Sequence, residues 1–125
     1  MRRDIETRAD IELMVDTFYE KVKDDDLIGP IFNTRIAPDA WPKHLERMYT
    51  FWTTILLSQP GYSGNPFDKH RDMPIEQAHF DRWVSLFKNI IDLLFEGPVA
   101  KEAKYRADLM GHLFLAKLTK LRELE

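Results

Sequence analysis

The four histidines of this chain are its best candidate metal ligands, and they lie in separate segments at positions 44, 70, 79 and 112. Neutral imidazole binds first-row transition metals such as iron, copper and zinc. A zinc site would need several converging ligands, for example paired histidines one helical turn apart with a carboxylate, and the sequence lacks that pattern. Cysteine is absent, which excludes thiolate metal sites and cysteine nucleophiles. Dispersed histidines therefore favour a metal that takes one protein ligand and receives its other donors from a cofactor.

Haem meets this requirement, because the porphyrin supplies the equatorial nitrogens, a histidine supplies one axial ligand and the surrounding pocket controls the other axial position. His70 is the better candidate for the axial ligand, since it follows a stretch rich in Gly and Pro that can place it against a cofactor. His79 falls in the first turns of a predicted helix, so we interpret His79 and His112 as structural or exposed. On spacing alone the role of His70 stays open, because a histidine in a loop is more often a surface or hydrogen-bonding residue.

Three further side chains, Tyr19, His44 and Trp83, are predicted to lie on or beside apolar helix faces. Taken singly, an aromatic residue in such a position is usually part of the core. A core-facing histidine usually has a polar partner and no ligand. A functional interpretation therefore depends on these three residues occurring together with His70 in one small helical protein.

The hydrophobic periodicity that must position these residues predicts four substantial helices and no strand. Apolar residues recur at the spacing of one helix face, and Thr7 and Asp10 form a capping pair at the start of the first helix. Gly29-Pro30 is predicted to form a turn that delivers Ile31 and Phe32 to the interior. The predicted helices span about residues 8–23, 38–57, 75–96 and 99–124.

The stretch from 58 to 74 has no periodicity and contains several Gly and Pro residues. A loop of this length inside a compact domain is usually functional or disordered. Its aromatic residues Tyr62 and Phe67, together with His70, favour order. We therefore expect this loop to be part of a binding site.

Chain length and composition predict one globular domain over residues 1–125, and the four predicted helices make it all-α. Hydrophobic residues make up 44% of the chain and aromatic residues 12%, which is rich for a small domain and is consistent with a large apolar ligand. The formal net charge is −3 and Lys and Arg are scattered, which argues against nucleic-acid binding. The sequence has neither the apolar core of a signal peptide nor a run of about 18 apolar residues, so we expect a cytoplasmic protein that does not enter a membrane.

Four parts of the sequence carry a family resemblance. They are FYEKV and GPIFN (residues 18–22 and 29–33), WPKHL with FW (41–45 and 51–52), GYSGNP leading to KHR (61–66 and 69–71), and HFDRW (79–83). In this order and spacing they resemble a truncated globin over about residues 7–117, in the variety called group III. The chain lacks the glycine pairs that other groups of truncated globins carry between the first two helices and after the distal helix, which again indicates the third group.

This resemblance implies a two-over-two helical sandwich around haem b, with His70 as the axial ligand of the iron. Arg47 and Arg71 are expected to bind the haem propionates, since a guanidinium can hold a carboxylate through two parallel hydrogen bonds; the alternative is that both are solvated surface charges. The implied cofactor contacts are Phe32, Arg47, Met48, His70 and Arg71, and the implied ligand-binding residues are Tyr19, His44 and Trp83.

The implied function is binding of O2, NO and CO. Two hydrogen-bond donors, the Tyr19 hydroxyl and the Trp83 indole, predict slow release of a bound ligand, which favours redox or detoxification chemistry over oxygen transport. Nitric oxide dioxygenation and reaction with peroxide are both possible, and whether the protein is an enzyme stays open. A reductase partner is expected because no flavin or nicotinamide domain is evident, and the protein is expected to be a monomer or weak oligomer.

Two other functions compete with this interpretation. One is a cofactor-free helical module that binds another protein through its aromatic faces, which would be colourless. The other is a gas sensor, which would need an output domain for which 125 residues leave no room.

Overall fold

The computed structural model describes residues 2–61 and 76–124, and within these ranges it contains helices and no strand. This confirms the predicted all-α class. His70 and Arg71, with the rest of the predicted loop from 62 to 75, lie outside the described residues. The elements are α1 (Arg8–Asp24), α2 (Gly29–Arg35), a 3₁₀ turn (Pro38–Ala40), α3 (Trp41–Leu57), α4 (Gln77–Leu94) and α5 (Pro98–Leu124).

The predicted capping pair at the start of α1 is present. The side chain of Thr7 accepts a hydrogen bond from the amide of Asp10, and the Asp10 carboxylate accepts one from the amide of Thr7. Asp10 is buried and also binds the guanidinium of Arg3 and the amide of Glu6. One carboxylate therefore begins α1 and holds the preceding segment against it.

The predicted turn at Gly29-Pro30 is instead the start of the short helix α2. Pro30 is tolerated there because the first amides of a helix have no partner within the helix. Gly29 allows the close approach, since a Cβ atom at this position would lie 2.8 Å from the Lys23 carbonyl oxygen. Seven residues form only about two turns, which is too few for a clear hydrophobic period. The expected consequence holds, because Phe32 is partly buried against the core.

The core lies where α1 packs against α2, α3 and α4, and where α4 packs against α5. Small residues on α5, such as Ala103 and Ala107, are fully buried and allow α4 to approach closely. The N-terminal segment is joined to this layer by Asp4, whose carboxylate accepts hydrogen bonds from the first amides of α5, Val99 and Ala100, at 3.0 and 2.8 Å. None of the described helices combines the length and apolar content needed for a bilayer span.

Candidate functional site

A mainly apolar cavity of about 520 Å³, partly open to solvent, lies among the helices. Its volume falls in the usual range for cofactor and small-molecule sites, about 300–1,000 Å³. Many of its lining side chains are aromatic: Phe18, Tyr19, Phe32, Phe51, Trp52, Phe80, Trp83, Phe87 and Phe114. Of the eight site residues predicted from the sequence, six line this cavity, namely Tyr19, Phe32, His44, Arg47, Met48 and Trp83. The remaining two, His70 and Arg71, are outside the described residues.

Tyr19 and His44 are neighbours in the cavity wall, although they come from different helices. Their ring centroids are 5.1 Å apart and the rings meet edge to face, at 81°. Tyr19 also contacts Phe32 of α2, at 6.0 Å between centroids. The Nε2 atom of His44 is shielded from solvent. The residues that the sequence places on two predicted helices are therefore adjacent in space.

Tyr19 is a neutral hydrogen-bond donor. Its side chain is buried, and burial raises the pKa of the phenol well above its ordinary value. Within the described part of the chain no side chain or carbonyl accepts a hydrogen bond from its hydroxyl. The proton is thus available to a ligand in the cavity.

Trp83, whose indole N–H can donate a hydrogen bond, also lines the cavity. Its ring stacks on that of Phe87, one helical turn further along α4, with centroids 6.0 Å apart and planes inclined by 13°. The preceding residue, Arg82, binds the Asp25 carboxylate at 2.6 Å. Asp25 also accepts hydrogen bonds from the amides of Leu27 and Ile28, so it joins α4 to the turn between α1 and α2.

The charge of Asp25 stabilises this connection between α4 and the turn that follows α1. Burial alone would raise the pKa of its carboxyl, but the hydrogen bonds from Ile28, Arg82 and Leu27 outweigh burial and lower it. The carboxylate is therefore charged at neutral pH and holds α4, and with it Trp83, against the end of α1.

Three cationic side chains, Arg35, Lys43 and Arg47, line the exposed edge of the cavity. Lys43 and Arg47 lie one turn apart on α3, and Arg35 is in the last turn of α2. No carboxylate among the described residues forms an ion pair with any of them. An apolar cavity with cations at its edge fits a flat hydrophobic group that carries anionic substituents, as haem does.

Sequence reasoning assigned no role to Arg35 and Lys43, which line the cavity, or to Trp41, which contacts Tyr19 and His44. The spacing of Lys43 and Arg47 was a usable signal, since residues four apart share a helix face. Arg35 had no such signal because α2 itself was not predicted. His79 has the structural contact expected of it, because its Nδ1 atom accepts a hydrogen bond from the Glu76 amide at the start of α4, but it also lines the cavity, which the sequence did not predict. His112 is exposed as expected.

Comparison with known proteins identifies the family. The chain matches the bacterial-like globins over residues 4–112. The chain belongs to this family. This globin is 32% identical over 113 residues to "Group 3 truncated hemoglobin ctb" of Campylobacter jejuni, with 88% of this chain and 89% of the relative covered. It is also 32% identical over 107 residues to "Group 2 truncated hemoglobin YjbI" of Bacillus subtilis, with 82% and 74% covered.

The solved structures agree with this assignment. The crystal structure of group III truncated hemoglobin from Campylobacter jejuni superposes on this globin with a TM-score of 0.85 and 30% identity, covering 94% of this chain and 95% of the other. The group III resemblance and the truncated-globin fold are therefore confirmed. Family membership implies a haem cofactor and binding of diatomic gases such as O2.

Proposed function

We propose that this globin holds haem b in the cavity through His70 and retains a diatomic ligand there for redox or detoxification chemistry, not for oxygen transport. The observation that carries the proposal is the pair of hydrogen-bond donors, buried Tyr19 and partly buried Trp83, in the wall of one mainly apolar cavity. A carrier must release its ligand readily, whereas two donors preset in a mainly apolar pocket slow release.

The cavity contains the groups needed to hold the cofactor. Its aromatic side chains, Phe32 among them, and the thioether of Met48 would pack against the porphyrin. The cationic side chains of Arg35, Lys43 and Arg47 would bind the propionates at the exposed edge. Arg71, next to the proposed axial ligand in sequence, is a further proposed propionate partner.

When bound, haem supplies an iron site for O2, NO or CO and one-electron chemistry. Tyr19 contributes a hydrogen-bond donor that stays protonated at all ordinary pH values, because burial raises its pKa. Trp83 contributes an indole N–H, which can only donate. Both would donate to the ligand, and the low dielectric of the cavity strengthens each hydrogen bond. His44, beside Tyr19, would act as a gate between the cavity and solvent.

A ligand that Tyr19 and Trp83 retain in the cavity is more suited to reacting there than to being released. The favoured reactions are nitric oxide dioxygenation and turnover of peroxide. Electrons for such a cycle would come from a separate reductase. The cytoplasm is the expected location of this chemistry.

The proposal is tested by absorption spectra of purified protein in the ferric, ferrous and carbonyl forms, compared with His70→Ala. We expect an intense Soret band in the wild type and a sharp loss of haem retention in His70→Ala. His112→Ala is the matched control, because His112 is an exposed histidine on α5 and should retain haem normally. Wild-type protein that takes up no haem, or a His70→Ala variant that retains it fully, would contradict the proposal.

A further inference from the structure

Trp41, the first residue of α3, contacts both Tyr19 and His44, two of the side chains proposed to bind the ligand in the cavity. It is 8% exposed and contacts Tyr19 edge to face, with centroids 5.6 Å apart and planes at 67°. It contacts His44 in the same manner, at 5.6 Å and 88°. Since Tyr19 and His44 also contact each other, the three rings form a closed triangle. Neither the phenol nor the imidazole can turn without breaking a contact with Trp41 or with the other ring.

The outer side of this triangle is covered by a cation. The Nζ atom of Lys23 lies 4.0 Å from the centroid of the Trp41 ring, well inside the range of a cation–π interaction. Lys23 is exposed and lies in the last turn of α1, whereas Trp41 begins α3. Among the described residues no carboxylate forms an ion pair with Lys23. The indole is therefore the partner of this ammonium group, and the contact joins the end of α1 to the start of α3.

We propose that Trp41, held by Lys23, is a positioning residue that keeps Tyr19 and His44 inside the cavity and so sets the rate at which small ligands enter and leave. This inference rests on the proposed function. His44 must break its edge contacts with both Tyr19 and Trp41 to turn out of the cavity. These two contacts hold the imidazole in place. The Lys23 ammonium restricts the motion of the Trp41 indole, which makes one of them.

Lys23→Gln is the main test, because Lys23 is exposed and we expect its replacement to leave the fold intact. Without the cation, CO association and dissociation in the haem-loaded protein should each accelerate roughly two- to fivefold, the rate equivalent of one exposed cation–π contact. Lys23→Arg should restore the wild-type rates, since guanidinium also binds an indole face. Lys21→Gln, an exposed lysine in the same last turn of α1, should leave the rates unchanged.

A second readout does not depend on haem. Ring proton and nitrogen resonances of His44 and Tyr19, recorded by NMR in the protein without haem, should move in Trp41→Leu and should broaden in Lys23→Gln as the rings gain freedom. Circular dichroism shows whether Trp41→Leu remains folded. If it does not, the ring resonances of Lys23→Gln alone test the positioning role of Trp41.

The outcomes separate the two proposals. Failure of the wild type to take up haem would contradict the proposed function, while the ring resonances would still test the positioning role of Trp41. Normal haem uptake with wild-type rates and unchanged ring resonances in Lys23→Gln would overturn the positioning role alone.

Discussion

Phe18 and Trp83 pack edge to face, with ring centroids 5.8 Å apart and planes at 88°. Phe18 immediately precedes Tyr19 on α1 and also contacts its ring, at 5.1 Å. One buried phenylalanine therefore lies against both residues that carry the proposed hydrogen-bond donors. The positions of the Tyr19 hydroxyl and the Trp83 indole are consequently set by the α1–α4 interface, so each donor should keep its position when the other is removed conservatively.

Removal of one donor should accelerate ligand release. Tyr19→Phe and Trp83→Phe each keep an aromatic ring in the wall but lose a hydrogen bond of about 1 kcal/mol, so O2 dissociation should rise at least about fivefold in each. Stopped-flow dissociation measures this directly. Tyr49→Phe is the control, since the Tyr49 hydroxyl binds Asp16 at an exposed contact between α1 and α3. Release no faster than wild type in both variants would remove the donor role.

The cations at the cavity edge should determine how long haem is retained. Arg35→Gln, Lys43→Gln and Arg47→Gln each remove one proposed propionate partner, at a cost of about 1 kcal/mol because these contacts are exposed to solvent. Haem transfer to an excess of an apo-globin acceptor should accelerate severalfold in each variant. Lys101→Gln, an exposed lysine in the first turns of α5, should have no effect. Equal transfer rates in all four variants would show that the propionates bind elsewhere.

The sequence predicted α1, α3, α4 and α5 because each carries at least four turns of hydrophobic period and a recognisable start or stop. Thr7 with Asp10, Pro42 and Gly97-Pro98 mark those ends with chemistry that acts locally along the chain. Helix α2 was not predicted, because it begins with Gly-Pro, which is typical of a turn, and is too short to show a hydrophobic period. Its position depends on a tertiary feature, the close approach of the Gly29 backbone to the end of α1, where a Cβ atom would meet the carbonyls of Val22 and Lys23.

The site was harder to predict than the fold, for a physical reason. A buried aromatic residue that contacts a site and one that fills a core have the same pattern in sequence, so the pattern could not separate Trp41 from a core residue. Tyr19, His44 and Trp83 were identified through the family resemblance, and the structure brings them to one cavity. The proposed axial role of His70 remains a prediction, since this residue is outside the described part of the chain.

Acid should weaken the attachment of the N-terminal segment through Asp10. Burial alone would raise the pKa of this carboxyl, but the hydrogen bonds from Arg3, Glu6 and Thr7 outweigh burial and lower it from 3.8 to about 2. Because the folded-state pKa is the lower one, the unfolded state takes up the proton first as the pH falls. The stabilisation, at most about 2 kcal/mol given the exposed guanidinium of Arg3, is complete above about pH 4 and is lost between about pH 4 and 2.

Asp10→Asn isolates this contribution. Urea unfolding at pH 7 should show a loss of about 1–2 kcal/mol relative to wild type, and the difference should vanish near pH 2. Asp81→Asn, an exposed carboxylate on α4, should match wild type at both pH values. A difference that persists unchanged at pH 2 would mean that the capping geometry, and not the charge, supplies the stability.

Substitution of Gly29 should disturb the cavity through the backbone. In Gly29→Ala the new methyl group would lie 2.8 and 2.9 Å from the carbonyl oxygens of Lys23 and Val22, which belong to α1 and cannot move aside like a side chain. We expect a loss of about 1–3 kcal/mol in the free energy of unfolding, typical of overpacking. Since α2 carries Phe32 and Arg35, haem retention should fall as well.

Gly111→Ala is the matched comparison. Its new methyl would meet only the Val84 Cγ2 atom, at 3.0 Å, and alanine gains about 1 kcal/mol of helix propensity over glycine inside α5. Its net effect on unfolding by urea should therefore be much smaller than that of Gly29→Ala. If Gly29→Ala proves as stable as wild type and holds haem equally well, then α2 can shift away from α1 without consequence, and its close approach at Gly29 does not position the cavity wall.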